Sequence, residues 1–131
     1  MEMIFSIKKE HETIKEYLDR LRYFIDEKFD FQEFSKTFKE FVNFWNAHEQ
    51  KEERFFMTLD NLEFITKMNF EHKAIKGYKK IISMALETHY EPYIKVTLEI
   101  DGKMMINRIQ DHIRKEEELL SKLKNNLMVV I

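Results

Sequence analysis

The stretch Phe34–Glu53, FSKTFKEFVNFWNAHEQKEE, carries an aromatic ring, a histidine or a glutamate at every third or fourth position. Steps of three and four residues are the period of one face of an α-helix. The pattern therefore predicts a long helix whose buried face carries an imidazole and a carboxylate among aromatic side chains. That face comprises Phe34, Phe38, Phe41, Trp45, His48, Glu52, Phe55 and Leu59.

The same period recurs in three further segments, so the chain is predicted to contain four helices, over residues 6–29, 31–59, 62–88 and 92–125. Connections this short favour antiparallel neighbours, and we expect one all-α domain over 1–131, an up-down-up-down antiparallel four-helix bundle. The additional stripes are Ile7, His11, Ile14, Leu18, Leu21 and Ile25; Ile65, Met68, His72, Ile75, Ile82 and Leu86; and Leu98, Met105, Ile109, His112, Glu116, Leu119 and Leu123.

Local signals mark the predicted helix ends. Ser6 is expected to cap the first helix, and Asp30 with Glu33 has the capping-box form at the second. Pro92 suits a first helical turn. Gly102 falls inside the fourth helix and indicates either close helix approach or a bend. The apolar tail at 126–131 is expected to pack on the bundle or on another subunit of a homo-oligomer.

Composition excludes several classes of protein. The 131 residues include two Gly and one Pro, too few for a turn-rich all-β fold. The absence of Cys fits a reducing cytoplasm. The 22 basic and 24 acidic residues are interspersed, which argues against a nucleic-acid partner. The first residues show no apolar signal core and no cleavage site, so a secretion signal is not expected, and the longest apolar run, LMVVI, is too short to span a membrane.

The chain contains an internal repeat. HEQKEE at 48–53 matches HIRKEE at 112–117, and EHETIKEY at 10–17 matches EHKAIKGY at 71–78. The order is EHxxIKxY, HxxKEE, EHxxIKxY, HxxKEE, with one element on each predicted helix. The sequence therefore predicts a helical hairpin used twice around a pseudo-two-fold axis, with the Lys and second Glu of each HxxKEE element expected on the solvated flank.

The repeated elements place four histidines and two glutamates at one level of the predicted core. A His and a Glu at i and i+4 share a helix face. Burying two carboxylates and four imidazoles without a counter-charge is costly, and a pair of metal cations offsets that cost. Iron, manganese and zinc all accept such ligands. A single core histidine is more often structural, and we interpret His89 that way.

These residues resemble the hemerythrin-like family, also called the HHE cation-binding domain, over essentially the whole chain. The resemblance rests on His11, His48-x-x-x-Glu52, His72 and His112-x-x-x-Glu116. It implies an oxo- or hydroxo-bridged di-iron centre in which Glu52 and Glu116 bridge. His11 and His48 would bind one iron, and His72 and His112 the other. The ferritin-like alternative needs an E-x-x-H pair, which the sequence lacks.

The sequence departs from the oxygen-carrying hemerythrins at two places. They have a second histidine where this chain has Met68, a poor ligand for ferric iron. They also end with H-x-x-x-x-D rather than H-x-x-x-E. Glu49 is a candidate additional ligand, with a surface residue as the alternative. The small-ligand pocket is predicted to be lined by Ile14, Trp45, Ile75 and Ile109 one turn inward and by Ile7, Phe55, Met68 and Leu119 toward the bundle end.

Three functions remain open at this point. The first is a binding protein that carries or senses dioxygen, nitric oxide or peroxide. The second is peroxide or nitric-oxide reduction, or iron donation in stress repair. The third is a metal-stabilised helical interaction module without a redox task. We favour binding or sensing over an enzyme.

Overall fold

Residues 2–59 and 61–130 are described by the computed structural model, with side chains to residue 123, and this part of the chain is helical without strands. The three connections between the four long segments are short, and the last three elements run on as one long helical segment. Four long segments are consistent with a helical bundle, and the all-α prediction is confirmed. The elements are α1 (Glu2–Asp26), α2 (Phe31–Met57), α3 (Leu62–Glu87), α4 (Glu91–Thr97), a π-helical turn (Leu98–Gly102) and α5 (Lys103–Val130).

The starts of the second and fourth helical segments agree with the sequence signals, whereas α1 ends at Asp26 rather than at the predicted residue 29. Asp30 is the N-cap of α2, and its side chain accepts a hydrogen bond from the backbone N–H of Glu33 at 3.1 Å. Pro92 lies in the first turn of α4, as predicted. The Ser6 cap is wrong, because α1 already begins at Glu2. The last helix passes the predicted end at 125 and continues to Val130. Asp60 and the tail side chains lie outside the described residues.

The buried apolar side chains form two clusters separated along the helices. The larger one includes Ile14, Trp45 and Ile75, and the smaller one consists of Ile4, Ile7, Phe56, Met68 and Leu120. His11 and His72 each lie between a residue of one cluster and a residue of the other along their helices. A layer of polar residues therefore separates two apolar ones.

Just after each HxxKEE element, the buried face differs from the predicted stripe by one position. Phe56 and Leu120 are fully buried, whereas Phe55 and Leu119 are only partly buried. Phe56 follows Glu52 by four residues and Leu120 follows Glu116 by four, so each continues the helix face of the preceding carboxylate.

Gly102 supports the close-approach alternative. It is buried at the end of the π-helical turn, and a Cβ built there would lie 3.2 Å from Cδ1 of Ile25 on α1. A side chain at this position would press on α1, so glycine allows α1 and the π-helical turn to pack closely.

Candidate metal centre

Six side chains meet in the polar layer between the two apolar clusters. All are 3 % exposed or less, and they are supplied by α1, α2, α3 and α5. The structure therefore brings together every residue that the sequence analysis named as a principal ligand. They are His11, His48, Glu52, His72, His112 and Glu116.

The six residues divide into two overlapping groups of four. His11 and His48 belong to one group and His72 and His112 to the other, while Glu52 and Glu116 belong to both. In each group the potential ligand atoms lie within 4.8 Å of one another. The imidazole rings of each pair are close, with centroids 5.0 Å apart for the first pair and 5.1 Å for the second. Two histidine pairs thus flank two shared carboxylates.

The inward-facing atoms have contacts but no hydrogen bonds. Nε2 of His48 lies 2.8 Å from a Glu52 oxygen, and Nε2 of His112 lies 3.1 Å from a Glu116 oxygen. None of these contacts has hydrogen-bond geometry, so Nε2 of all four histidines and both oxygens of each glutamate are buried without a partner among the described residues. Buried polar atoms are normally satisfied, so this donor set of imidazole and carboxylate fits a metal.

The carboxylates of the polar layer raise the pKa values of two of its histidines. Burial by itself would lower the pKa of His11, but the carboxylates of Glu116 and Glu52 raise it to about 9. Burial opposes protonation of His112 too, and Glu116 and Glu71 raise its pKa to about 10. The pKa of Glu116 is lowered despite burial, because the imidazoles of His11 and His112 face its carboxylate. Without a metal, the imidazoles of His11 and His112 hold protons against the carboxylates, and a metal must displace them.

The outward-facing nitrogen of two histidines contacts a carboxylate that the sequence analysis did not name. Nδ1 of His48 donates to Glu10 at 2.7 Å, and Nδ1 of His112 donates to Glu71. Such contacts fix the ring orientation and the tautomer of a metal-binding histidine. Glu10 and Glu71 are the first residues of the two EHxxIKxY elements, so their repetition was a signal available in the sequence.

The second glutamate of each HxxKEE element faces the other two histidines. Glu53 lies 3.2 Å from Nδ1 of His72, and Glu117 lies 3.7 Å from Nδ1 of His11. Both glutamates are partly exposed, as predicted for a solvated flank, and they also contact the candidate ligands.

The lysines of the HxxKEE elements are also at least partly exposed, and each contacts an acid of the site. Lys51 donates to Glu10, and Nζ of Lys115 lies 3.6 Å from Glu71. Each lysine therefore neutralises the acid that supports the histidine of its own element. The sequence analysis assigned the Lys and the second Glu of each HxxKEE element to the surface because both residue types are usually exposed.

Glu49 lies outside the inner groups. Its carboxylate is 3.8 Å from Nδ1 of His72, the nitrogen that Glu53 also faces. Burial raises the pKa of Glu49. Burial and the nearby charge of His112 lower the pKa of His72, whereas the pKa values of His11, His48 and His112 are raised. Glu49 is thus placed behind a candidate ligand rather than in the shared layer.

The residues predicted to line a small-ligand pocket separate into two kinds. Ile14, Trp45, Ile75 and Ile109 are fully buried in the larger apolar cluster, against the inner side of the centre. The ring of Trp45 lies 5.6 Å from that of His48. The remaining four belong to or pack against the smaller cluster: Ile7, Phe55, Met68 and Leu119. His89 lies at a helix end with φ of 53° and its ring 5.2 Å from Phe31, away from the centre.

Comparison with protein families agrees with this geometry. The family model described as Hemerythrin, the hemerythrin HHE cation binding domain, matches residues 2–123. The chain belongs to the hemerythrin family. Buried His and Glu clusters in a hemerythrin HHE domain fit a metal-binding domain and indicate a metal-ion site.

Other comparisons add little to the family assignment. Neither the curated proteins nor the solved structures gave a match to this hemerythrin-family chain. No helix in the described part of the chain combines the length and the hydropathy that a membrane span requires.

Proposed function

We propose that the chain holds two iron ions and binds or senses dioxygen or a related small molecule such as nitric oxide or peroxide. The observation that carries the proposal is the pairing of the ligands. Two histidine pairs flank two carboxylates that both groups share, as two neighbouring metal ions would require. Manganese or zinc remains compatible with the same donors.

The six inner residues have distinct roles in this proposal. His11 and His48 would hold one ion, His72 and His112 would hold the other, and Glu52 and Glu116 would contribute to both. A ferrous pair supplies reversible redox chemistry and coordination positions for a small ligand. Because each pair contributes only two imidazoles beside the shared carboxylates, each half-site has fewer protein ligands than octahedral iron accepts.

The apolar surroundings favour binding over turnover. Trp45, Ile75 and Ile109 are fully buried on the inner side of the centre and exclude water from that side. Exclusion of water slows proton delivery, and proton delivery is needed to reduce peroxide or nitric oxide. A reducing or iron-donating enzyme is the alternative, and a purely structural metal module is the second alternative.

Metal content of the purified protein tests the centre itself. We expect about two irons per chain, one for each group of four. His72→Ala and Glu116→Ala should lower that number, because each removes a ligand. His89→Ala is the matched control, since His89 lies away from the centre, and it should keep the full metal content. A chain that holds no metal, or that loses none in the two ligand variants, contradicts the proposal.

Exposure of the ferrous protein to air separates the candidate functions. A stable, reversible oxygen charge-transfer band supports binding or sensing. Rapid irreversible oxidation with consumption of peroxide supports the reducing alternative. A colourless zinc protein would contradict both and support the structural module.

The up-down-up-down order of the helices belongs to the same proposal. Support comes from contacts between α1 and α5: Lys15 pairs with Glu117, Arg22 with Gln110 and Asp26 with Lys103. Residue numbers rise along α1 as they fall along α5, as expected for antiparallel neighbours. A cytoplasmic location and a homo-oligomer through the tail stay predictions from composition.

A further inference from the structure

Exposed apolar side chains cover the outer face of the second helical hairpin, which consists of α3 and the α4–α5 segment. Because α3 packs against α4, the π-helical turn and α5, exposed residues on both sides of the hairpin share one surface. On each side they recur at helical spacing. This outer face comprises side chains that are between 42 % and 69 % exposed: Phe70, Ile81, Met84, Tyr93, Val96, Ile100 and Met104.

The internal repeat shows that the apolar outer face belongs to the second hairpin alone. On α1, the positions that lie 61 residues before Phe70, Gly77 and Ile81 hold charged residues: Lys9, Glu16 and Arg20. On α2, the positions that lie 64 residues before Ile100 and Met104 are charged too: Lys36 and Glu40. All five charged residues are exposed. The same helix faces are thus matched to water in the first hairpin and not in the second.

Gly77 lies within the outer face and has no role inside the chain. A Cβ built on Gly77 meets no atom within 4 Å among the described residues, whereas the Cβ of Gly102 would press on α1. The φ of Gly77 is not positive. Glycine in a helix interior is less favourable than alanine, so neither packing nor conformation within the chain accounts for it. Glycine allows another backbone to approach closely, and here that backbone has to come from outside.

The size of the outer face fits a subunit interface. With about 200 Å² for a large side chain, seven that are roughly half exposed present on the order of 700 Å². The largest apolar patch of a monomer is about 300–600 Å², and each partner in a standard interface contributes about 800 Å². A partner for this face must be apolar as well. The same face of a second copy meets that requirement, and two-fold dimers are the commonest assemblies.

Charges at the border of the outer face decide how two copies fit. Lys73, Lys76 and Lys80 are exposed along α3 beside its apolar residues. Like charges would therefore meet if α3 of one copy lay on α3 of the other. The border on the π-helical turn and α5 carries both signs, as in the ion pair of Glu99 with Lys103. That border can accept the lysines of a second copy.

We propose that the chain forms a two-fold symmetric dimer through the outer face of the second hairpin, with α3 of each copy against the α4–α5 segment of the other. The first hairpin stays solvated in this dimer. The inference goes beyond the proposed function and does not require a metal. It assigns the contact between subunits to the helices rather than to the apolar tail.

The mass of the full chain in solution tests the dimer. Sedimentation should give twice the 16.2 kDa of one chain. Gly77→Glu and Ile81→Arg introduce the residue types found at the matching positions of α1. Each should raise the Kd of dimerisation at least about ten-fold, because a charge would be buried without a partner. Phe5→Glu is the matched control, since Phe5 is 67 % exposed on α1 outside the outer face, and it should leave the Kd unchanged.

Folding of the variants can be checked separately. The side chain added in Gly77→Glu enters open space, so helix content and metal content should be those of the unchanged protein. A chain that stays monomeric at its highest soluble concentration overturns the proposal. So does a dimer that both variants leave intact, or one that Phe5→Glu weakens equally. Lys80→Glu should not tighten the dimer; tighter association would mean that α3 faces α3 and would overturn the arrangement.

Discussion

Glu10 on α1 accepts a hydrogen bond from Nδ1 of His48 on α2 at 2.7 Å, and Glu71 on α3 occupies the same place against His112 on α5. Both pairs join an EHxxIKxY element to the HxxKEE element of the next long helical segment. Glu53 and Glu117 face the outward nitrogens of the other two histidines. The repeat therefore encodes the supporting acids of the centre as well as its candidate ligands.

We expect Glu10→Gln to weaken metal binding by about 10- to 100-fold, the usual effect of losing the acid behind a metal-binding histidine. The neutral amide no longer increases the basicity of His48, and it no longer pairs with Lys51. Competition titration with a chelator measures the change. Glu12→Gln is the control, because Glu12 is exposed on the same helix. Equal affinities in the two variants would show that Glu10 does not support the site.

Removal of the metal should lower the melting temperature. Without it, the carboxylates of Glu52 and Glu116 are buried close together, with the protonated imidazoles of His11 and His112 as partial compensation. A ligand at 100 times its Kd stabilises the folded state by about 2.7 kcal/mol, so the loss on chelation should be at least of this order. Calorimetry with and without chelator checks the effect. Identical melting temperatures would be incompatible with a metal bound at these residues.

Stability of the metal-free protein should fall as the pH rises from neutral to about 10. The pKa of His11 is raised to about 9 and that of His112 to about 10. A raised histidine pKa contributes stability that is fully present below the unfolded value of about 6.5 and is lost as the pH passes the folded value. One pKa unit corresponds to about 1.4 kcal/mol, so His11 contributes on the order of 3 kcal/mol. Denaturant titrations at several pH values measure this.

The metal-loaded protein provides the comparison for that pH series. Its imidazoles are neutral ligands throughout, so its stability should vary less over the same range. Metal affinity should increase with pH, because fewer protons have to be displaced from His11 and His112. A metal-free protein that becomes more stable between neutral pH and pH 10 would contradict the assigned protonation.

Asp30→Ala should destabilise the fold by about 1 kcal/mol, the usual value of an N-cap side chain. The side chain of Asp30 accepts from the backbone N–H of Glu33, and alanine leaves that donor without its cap. Asp30→Asn is the control, because asparagine caps nearly as well. Chemical denaturation measures the difference, and metal content should be unchanged in both variants. A loss of metal would mean that the start of α2 influences the centre.

Much of the fold could be predicted from the sequence because helical periodicity is a local property. The stripe from Phe34 to Glu52 fixed which face of α2 is buried, and the Asp30 cap fixed where α2 begins. The start of α1 could not be found in this way. Ser6 has the chemistry of a cap, but Ile4 is buried in the smaller apolar cluster, and packing extends the helix back to Glu2.

The sequence by itself determined the six inner residues, because two repeated elements placed His and Glu on buried helix faces where no other role offsets their burial. The family resemblance implied how the histidines pair, which depends on which helices are adjacent. The tertiary structure places the ring centroids of the two pairs 5.0 and 5.1 Å apart. It also assigned Glu10, Glu53 and Lys51 to the site. Their exposure and charge are those of ordinary surface residues, and only contact with a neighbouring helix distinguishes them. The outer face of the second hairpin was found for the same reason, because Ile81 and Ile100 join one surface only after α3 packs against the π-helical turn.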